Sequence, residues 1–234
     1  EEDLASEKTG LIIGSGVASG APLVEMADTL RNKGARKVNP FYVPKIMSSC
    51  NAANLATAFK IRGYSYTISS ACATSGHCLG NAYQLIQAGE QDLIFIGGGD
   101  EVSWIVSIAF DSMGALSSNF NDNPQSASRA YDRDRDGFVV SGGGGTIVLE
   151  EYERAKARGA KIYCEVTGYG ISSDGDDMVR PSGEGAERCM KMALKTVDGP
   201  IDYLNAHGTS TPAGDITELT AINNVFNGNG QLPH

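Results

Sequence analysis

The sequence predicts an α/β protein whose sheet is largely parallel. Three observations support this class: strand-like and helix-like segments alternate, short apolar runs end in glycine, and glycine is abundant. Alternation of strands and helices is typical of parallel sheets that are covered by helices. Glycine occupies 29 of 234 positions, well above the usual share of about 7%. This excess indicates many tight turns and close backbone approaches.

The first half of the chain contains the clearest strand–helix–strand unit. Leu11–Ile13 predicts an opening strand, and residues 48–59 predict an alanine-rich helix. Tyr66–Ser69 is β-prone and leads into a helical pattern that starts at Cys72. Leu93–Ile96 then predicts a buried strand that ends in three glycines. This section has the length of a βαβ unit.

The same alternation continues after an irregular polar stretch at residues 117–136, whose run of alternating charges predicts a solvated loop. The later predicted elements are strands at residues 138–140, 146–149, 162–166 and 201–204 and helices at residues 152–158, 182–197 and about 215–226. A break near Gly159 divides the sequence into two αβ-rich portions, residues 1–159 and 160–234. We therefore expect two domains, the second of them shorter.

Composition and charge narrow the range of functions. Lys and Arg number 19 against 28 Asp and Glu, a net charge of −9, which argues against broad nucleic-acid binding. No apolar stretch approaches the roughly 18 residues that span a bilayer. The acidic start has neither the features of a signal peptide nor an initiator Met, so we expect the natural N-terminus to lie upstream. We expect a cytoplasmic protein that binds neither nucleic acid nor a membrane.

The chain has an odd number of cysteines, which are Cys50, Cys72, Cys78, Cys164 and Cys189. In an acidic chain without a signal peptide, most of them are expected to be reduced, buried thiols. Cys189 lies on the apolar stripe of the helix predicted at residues 182–197, so we expect it in the core. Cys72, His77 and Cys78 lack the spacing of zinc ligands. The sequence predicts no metal site.

Cys72 is the first candidate for a catalytic residue. It lies where a predicted strand passes into a helix, and the free N–H groups and positive dipole of a helix N-terminus favour a thiolate. The small neighbours Ala71 and Ala73 leave room for a substrate carbonyl, and the N–H of Cys72 is available as an oxyanion donor. The alternative is a small thiol that fills a turn, and position alone favours neither.

His207 is the second candidate, because it follows a predicted strand and active sites of open α/β sheets gather at strand ends. The hydroxyls of Thr209 and Thr211 are expected on one side of an extended segment. The alternative is a loop histidine followed by a capping Thr, with Asp215 stabilising the helix dipole. We favour the helix-dipole role for Asp215 and a functional role for His207. His77 is a poor alternative partner, because it lies about a turn and a half from Cys72.

Several common active-site motifs are absent from the sequence. Residues 14–20 miss GxGxxG by one position, and neither GxxxxGK[ST] nor GxSxG occurs. The Cys72–His207 separation of 135 residues lies within the roughly 130–150 typical of papain-type proteases. The papain signature around the cysteine is missing, and the alternating order of elements is wrong for that fold. A cysteine-dependent thioester hydrolase stays open as an alternative function.

Two longer motifs carry a family resemblance, Ser70–Ser75 around Cys72 and Asn205–Asp215 around His207. Together they resemble the β-ketoacyl-acyl-carrier-protein synthases of the thiolase superfamily, most of all the bacterial type I elongation enzymes, with type II as the near alternative. The resemblance continues through residues 89–100, 110–117, 131–150 and 172–192. It implies a thiolase-like, layered αβαβα fold that is incomplete at both ends of this chain.

The resemblance also implies a decarboxylative Claisen condensation in fatty acid elongation. Cys72 would carry the acyl chain as a thioester, and His207 would be one of two catalytic histidines that stabilise the enolate. Thr209 and Thr211 would bind the phosphopantetheine arm. No metal or nucleotide cofactor would be needed, because loss of CO₂ drives the bond formation.

Further roles are implied for residues near these motifs. Phe110 and Met113 would border the acyl pocket, while Asp215 and Glu218 would support the site, Glu218 by holding a lysine that family members carry further on. The basic cluster that would dock the acidic acyl carrier protein comprises Arg31, Lys33, Arg36 and Lys37.

The resemblance implies a homodimer and also defines an expected deficiency. The family's second catalytic histidine and final glycine-rich turn do not occur before His234. We therefore expect residues 1–234 alone to be inactive in condensation. A non-catalytic partner in a synthase dimer is the remaining alternative.

Overall fold

The computed structural model describes residues 3–227, which form two compact units. The first unit runs up to Ile108 and includes Ser141–Glu165, and the second comprises Ala109–Val140 and the residues from Val166 onward. Because neither unit is continuous in sequence, a domain boundary near Gly159 stays a prediction. No helix among residues 3–227 has the length and apolar character needed to cross a bilayer.

The first unit contains the sheet and most of the helices. Its strands are β1 (Thr9–Gly14), β2 (Ser65–Tyr66), β3 (Leu93–Asp100) and β4 (Gly143–Glu150). Its helices are α1 (Ala21–Lys33), α2 (Tyr42–Ile46), α3 (Cys50–Phe59), α4 (Thr74–Gln87) and α6 (Tyr152–Ala157), and α5 (Trp104–Ser112) crosses from the first unit to the second. Short 3₁₀ turns occur at Ala35–Lys37 and Ala71–Ala73.

The strand order is β2-β1-β3-β4. β1 pairs in parallel with both β2 and β3, as the alternation predicted, whereas β4 runs antiparallel to β3 along the full length of both strands. The sheet is therefore mixed, with an antiparallel edge strand, an arrangement common in α/β proteins. The predicted strand–helix–strand unit is β2–α4–β3, and β1 lies between its two strands.

The core forms on both faces of β1 and β3 because side chains alternate along a strand. On one face, Ile12 and Ile94 pack with Cys78 and Ala82 of α4. On the other face, Leu11 and Ile13 pack with α3, whose Ala52 is buried. Helix α4 is thereby fixed against the sheet at the point where its first residues follow the Cys72 turn.

The second unit contains α7 (Glu184–Ala193) and α8 (Pro212–Phe226), with 3₁₀ turns at Pro124–Ser126 and Leu194–Thr196. Helix α8 begins three residues before the predicted Asp215, because Thr211 caps it through the N–H of Gly214 and a proline occupies its first turn. Cys189 of α7 is half-buried and lies outside the buried core clusters, so the prediction of a core position was wrong.

Three predicted strands are not formed within the described part of the chain. Residues 162–166 and 201–204 have no strand assignment, and residues 138–140 contribute one isolated bridge, from Phe138 to Leu116. A β-strand exists only through its ladder partners, and apolar, β-prone residues do not supply them. The predictions at these segments rested on composition alone and were wrong.

Gly14, at the end of β1, marks the closest approach between the sheet and α4. A Cβ atom at this position would lie 2.2 Å from the Thr74 methyl group and 2.4 Å from the Ile68 carbonyl oxygen. Because Thr74 is buried and the Ile68 contact is backbone, neither group can move aside cheaply. The glycine at this position is required by space.

We predict that Gly14→Ala lowers the free energy of unfolding by about 2 kcal/mol, through overpacking between β1 and α4. Chemical denaturation followed by circular dichroism measures the change. Gly76→Ala is the matched control, because Gly76 is exposed in α4 with open space around its Cα; it should stabilise by roughly 0.5–1 kcal/mol. Equal stability of Gly14→Ala and the unmodified protein would contradict the packing argument.

Candidate active site

Cys72 occupies the middle of the 3₁₀ turn Ala71–Ala73, directly before α4, and it is exposed. The turn is closed by Thr74, whose hydroxyl donates to the Ala71 carbonyl at 2.7 Å and accepts from the Ser70 N–H at 2.8 Å. Thr74 is itself buried. The buried side chain of Thr74 therefore fixes the backbone of the turn that carries the exposed thiol.

The backbone at this turn is strained. Ala71 has φ 48°, in the left-handed region that residues with a Cβ seldom adopt, at a cost of roughly 1–2 kcal/mol. The loop after β1 supports it, since a Cβ on Gly16 would approach the Ala71 carbonyl oxygen to 3.1 Å and Ser69 donates to the Ser15 carbonyl at 2.9 Å. Strain of this kind clusters at functional sites, including sharp strand-to-helix turns that present a nucleophile.

The remaining cysteines differ from Cys72 in place and exposure. Cys78 is fully buried in α4, where burial raises the pKa of its thiol. Cys50 and Cys189 are half-buried, and Cys164 is exposed in an irregular segment. The expectation of mostly buried thiols was correct for Cys78 alone. Only Cys72 combines exposure with a position at the start of a helix of the described chain.

His207 lies in the second unit, on the irregular segment that leads into α8. Its backbone N–H donates to Glu218 Oε1 at 2.6 Å, and the N–H of Gly208 donates to Glu218 Oε2 at 2.9 Å. Gly208 has φ 51°, so the segment turns sharply directly after the histidine. The carboxylate of Glu218 therefore fixes the backbone on which the exposed imidazole is mounted.

The protonation state of Glu218 follows from these contacts. Burial raises the pKa of its carboxyl, but the N–H groups of Gly208 and His207 and the hydroxyl of Tyr131 outweigh burial and hold the pKa below its ordinary value. Tyr131 Oη lies 2.7 Å from Glu218 Oε2. Burial and the neighbouring carboxylate together raise the pKa of Tyr131. At neutral pH, an ionised Glu218 accepts from a protonated tyrosine.

Asp215 lies in the first turn of α8, as its predicted role at the helix dipole requires, and it is also buried and contacts other residues of the second unit. Its Oδ2 accepts from the Tyr131 N–H at 2.7 Å and forms an ion pair with Arg135 Nε at 3.2 Å. Arg135 also donates to the carbonyl oxygens of Thr211 and Pro212. The charged run at residues 132–136 is therefore not merely a solvated loop, because Arg135 ties it to the start of α8.

Thr209 and Thr211 point to the same side, as predicted, with their hydroxyl oxygens 3.0 Å apart. Phe110 packs edge-on against Phe138, with ring centroids 5.0 Å apart, while Met113 is exposed. The two threonines, Phe110 and Met113 all belong to the second unit. Their assignment to the pantetheine arm and the acyl pocket stays a prediction.

A pocket of about 340 Å³ opens within the second unit beside His207. Its walls include Pro181, Gly183, Cys189, His207, Thr209 and Glu218. These residues come from α7 and the residues before it, from the segment that contains His207, and from the first turns of α8.

The basic residues predicted to dock a partner lie at the end of α1. Lys33 is the last residue of α1, Arg36 lies in the following 3₁₀ turn, and both are exposed. Nearby Arg31 forms an exposed ion pair with Asp28 at 3.2 Å. Among residues 3–227, no three His, Cys, Asp or Glu side chains are grouped so as to hold a metal ion.

The structure assigns Cys72 to the first unit and His207 to the second. Sequence reasoning missed Tyr131 and Arg135, which contact the two acidic residues of α8. Tyr131 has φ 64°, and nothing in its local sequence signals this conformation. The alternating charges at residues 132–136 gave no means of distinguishing Arg135, which pairs with the buried Asp215, from the exposed charges at residues 132–134.

Comparison with known proteins identifies the family. The beta-ketoacyl synthase N-terminal domain matches residues 1–155, and the beta-ketoacyl synthase C-terminal domain matches residues 163–233. The chain is 56% identical over 227 residues to 3-oxoacyl-[acyl-carrier-protein] synthase 1 of Haemophilus influenzae, covering 97% of this chain and 56% of the relative. Identity to the corresponding synthase 1 of Escherichia coli K12 is 59% over 220 residues, covering 94% and 54%.

A type 2 relative, the 3-oxoacyl-[acyl-carrier-protein] synthase 2 of Rhizobium meliloti, is 46% identical over 228 residues, covering 95% of this chain and 54% of the relative. The greater similarity to the synthase 1 proteins agrees with the predicted likeness to type I enzymes. The chain spans about half the length of the curated relatives it matches.

Solved structures have the same fold. A beta-ketoacyl synthase from Burkholderia phymatum STM815 superposes with a TM-score of 0.89 at 37% identity, covering 97% of this chain and 56% of that chain. A type II polyketide ketosynthase, solved with its acyl-carrier protein and a hexaketide, gives 0.89 at 32% identity, covering 96% and 58%. The predicted thiolase-like fold is confirmed, and the chain belongs to the beta-ketoacyl synthase family.

Proposed function

We propose that the protein catalyses the decarboxylative condensation of an acyl thioester with malonyl-acyl-carrier protein in fatty acid elongation. The observation that carries the proposal is the exposed Cys72 thiol on a strained turn at the start of α4, in a chain of this family. A thiol at a helix N-terminus is favoured as a thiolate, and the thiolate is the attacking species.

In the first half-reaction, the Cys72 sulfur attacks the carbonyl carbon of an acyl group carried on a phosphopantetheine thioester. The new carbon–sulfur bond forms as the carrier thiolate leaves and takes up a proton. The N–H of Cys72 lies at the turn and is the candidate donor to the tetrahedral oxyanion. The products are acyl-Cys72 and free carrier protein.

In the second half-reaction, malonyl-carrier protein loses CO₂, and the electron pair of the broken bond forms an enolate at the thioester. The neutral imidazole of His207 donates a hydrogen bond to the enolate oxygen. The enolate carbon then attacks acyl-Cys72, which releases the Cys72 thiolate and a 3-oxoacyl thioester. Because decarboxylation supplies the driving force, the reaction needs no metal or nucleotide.

Two groups of side chains position the substrates in this proposal. The paired hydroxyls of Thr209 and Thr211 bind the amide groups of the pantetheine arm, and their 3.0 Å separation supports a joint role. Phe110 and Met113 border the acyl chain with apolar atoms. Asp215 supports the site through Arg135, and a role for Glu218 in holding a lysine outside this chain remains part of the proposal.

The proposed partner is an acidic acyl carrier protein docked at Lys33 and Arg36. A protein of net charge −9 attracts an acidic partner only through a local basic patch. A structurally similar ketosynthase has been solved in complex with its acyl-carrier protein, which supports a partner of this class. A homodimer in the cytoplasm completes the proposal.

We predict that Cys72→Ala abolishes formation of the acyl-enzyme when the protein is incubated with acyl-carrier protein, because the accepting sulfur is gone. Intact mass spectrometry measures the acyl adduct. Cys164→Ala is the matched control, because Cys164 is also an exposed, reduced thiol, and it should acylate normally. An adduct that persists in Cys72→Ala would refute the assignment of the nucleophile, and a protein that is never acylated would favour the non-catalytic partner.

We predict that His207→Ala lowers the rate of malonyl-carrier decarboxylation at least 100-fold in the whole protein that carries this sequence, the usual cost of a lost oxyanion donor. Acylation of Cys72 should continue, because the first half-reaction uses a different donor. Radiolabelled CO₂ release measures the rate, and His77→Ala, a change to another histidine, should leave it unaltered. Rapid acyl release to water without a malonyl requirement would favour the hydrolase instead.

We predict that Lys33→Glu combined with Arg36→Glu, in the whole protein that carries this sequence, raises KM for acyl-carrier protein about tenfold at low ionic strength with kcat unchanged, because the patch steers the acidic partner. The difference should shrink as salt is added. Steady-state kinetics with carrier-bound and with pantetheine-only substrates separate docking from chemistry. Lys161→Glu combined with Lys195→Glu, an equal charge change at two exposed lysines elsewhere, serves as control; an equal rise in KM there would count against a specific patch.

A further inference from the structure

Residues 129–137 form a segment that contacts the loop of residues 207–215 at several points within the second unit. The backbone N–H of Arg129 donates to Ser210 Oγ at 3.1 Å, and the N–H of Gly137 donates to the Ser210 carbonyl at 3.0 Å. Ser210 is buried. Both ends of the 129–137 segment are therefore fixed to the loop that begins with the histidine.

Tyr131 lies between these two anchored ends in a conformation that its surroundings impose. Its φ of 64° lies in the left-handed region, and its N–H donates to the buried Asp215 at 2.7 Å. Asp215 is itself held by Arg135. A non-glycine residue keeps such a conformation only where the surrounding contacts determine it.

This backbone geometry directs the Tyr131 side chain at the histidine loop. The hydroxyl donates to Glu218 Oε2 at 2.7 Å, the same oxygen that accepts the N–H of Gly208. The ring lies beside Gly208, where an added Cβ would come within 3.4 Å of it. Tyr131 thus contacts both the carboxylate that holds the loop and the loop itself.

We propose that Tyr131 is a positioning residue for the condensation step. Its hydroxyl orients the Glu218 carboxylate so that the two oxygens accept the N–H groups of His207 and Gly208, which places the His207 imidazole at the reacting thioester. Without the hydroxyl, the carboxylate loses one of its three donors in the described chain and turns more freely. The inference rests on the proposed role of His207.

The test is Tyr131→Phe in the whole protein, because phenylalanine keeps the ring against Gly208 and removes the hydroxyl alone. We expect kcat for malonyl decarboxylation and condensation to fall about tenfold, the scale of one hydrogen bond to a charged group. KM for both carrier substrates and the rate of Cys72 acylation should stay unchanged. Amide hydrogen exchange of the peptide spanning residues 204–211 should become faster.

Tyr163→Phe is the matched control, since Tyr163 is an exposed tyrosine of the first unit. It should alter neither kcat nor exchange at residues 204–211. Glu218→Gln provides a second variant, and adding Tyr131→Phe to it should cause little further loss, because both changes act through one carboxylate. If Tyr131→Phe does not fold, Glu218→Gln still tests whether the Glu218 carboxylate positions His207.

Wild-type kcat in Tyr131→Phe would overturn the proposal. A parallel loss of Cys72 acylation and condensation would also overturn it, because it would show a general structural defect. If the losses of kcat in the double variant were additive, Tyr131 and Glu218 would act independently, which would contradict the proposed route through Glu218. The exchange measurement needs no catalysis, so faster exchange in a protein that proves unable to condense would refute the proposed function and leave the Tyr131–Glu218 contact standing.

Discussion

The carboxylate of Glu218 is the acceptor on which the geometry of the histidine loop depends. It receives the backbone N–H groups of His207 and Gly208 and the hydroxyl of Tyr131. Two consecutive N–H groups converge on one carboxylate only if the chain turns sharply, which Gly208 permits at φ 51°. The backbone that carries the exposed imidazole is thus fixed by contacts with one carboxylate.

Asp215 and Glu218 lie on one face of α8, and each makes different contacts that hold the histidine loop in place. Asp215 is buried against Arg135 and fixes the 129–137 segment, whereas Glu218 is partly exposed and fixes the backbone at His207. Removing either partner of a buried pair such as Asp215–Arg135 leaves a charge without compensation, which costs about 3–5 kcal/mol. The supporting contacts therefore stabilise the second unit as well as its loop.

Short apolar runs predicted the core strands that contain Ile12 and Ile94, and helical spacing predicted the apolar face of α4 that contains Ala82. The Cys72 turn was also predictable, since a strand, a small residue and a helix meet there. Strands that depend on distant ladder partners were not, as residues 201–204 illustrate. The roles of Tyr131 and Arg135 could not be predicted from the sequence. Tertiary contacts decide which charged residue of an alternating run forms an ion pair inside the fold.

The left-handed turn at Ala71 has a consequence for attempts to transplant this nucleophile. The loop after β1 supports its backbone: Gly16 packs against Ala71, and the carbonyl of Ser15 accepts a hydrogen bond from Ser69. A graft that carried only the Ser70–Ser75 motif into another scaffold would lose that support, and the turn would relax to an ordinary conformation with the sulfur aimed elsewhere. The smallest portable nucleophile unit is the two loops that follow β1 and β2, together with the ends of those two strands.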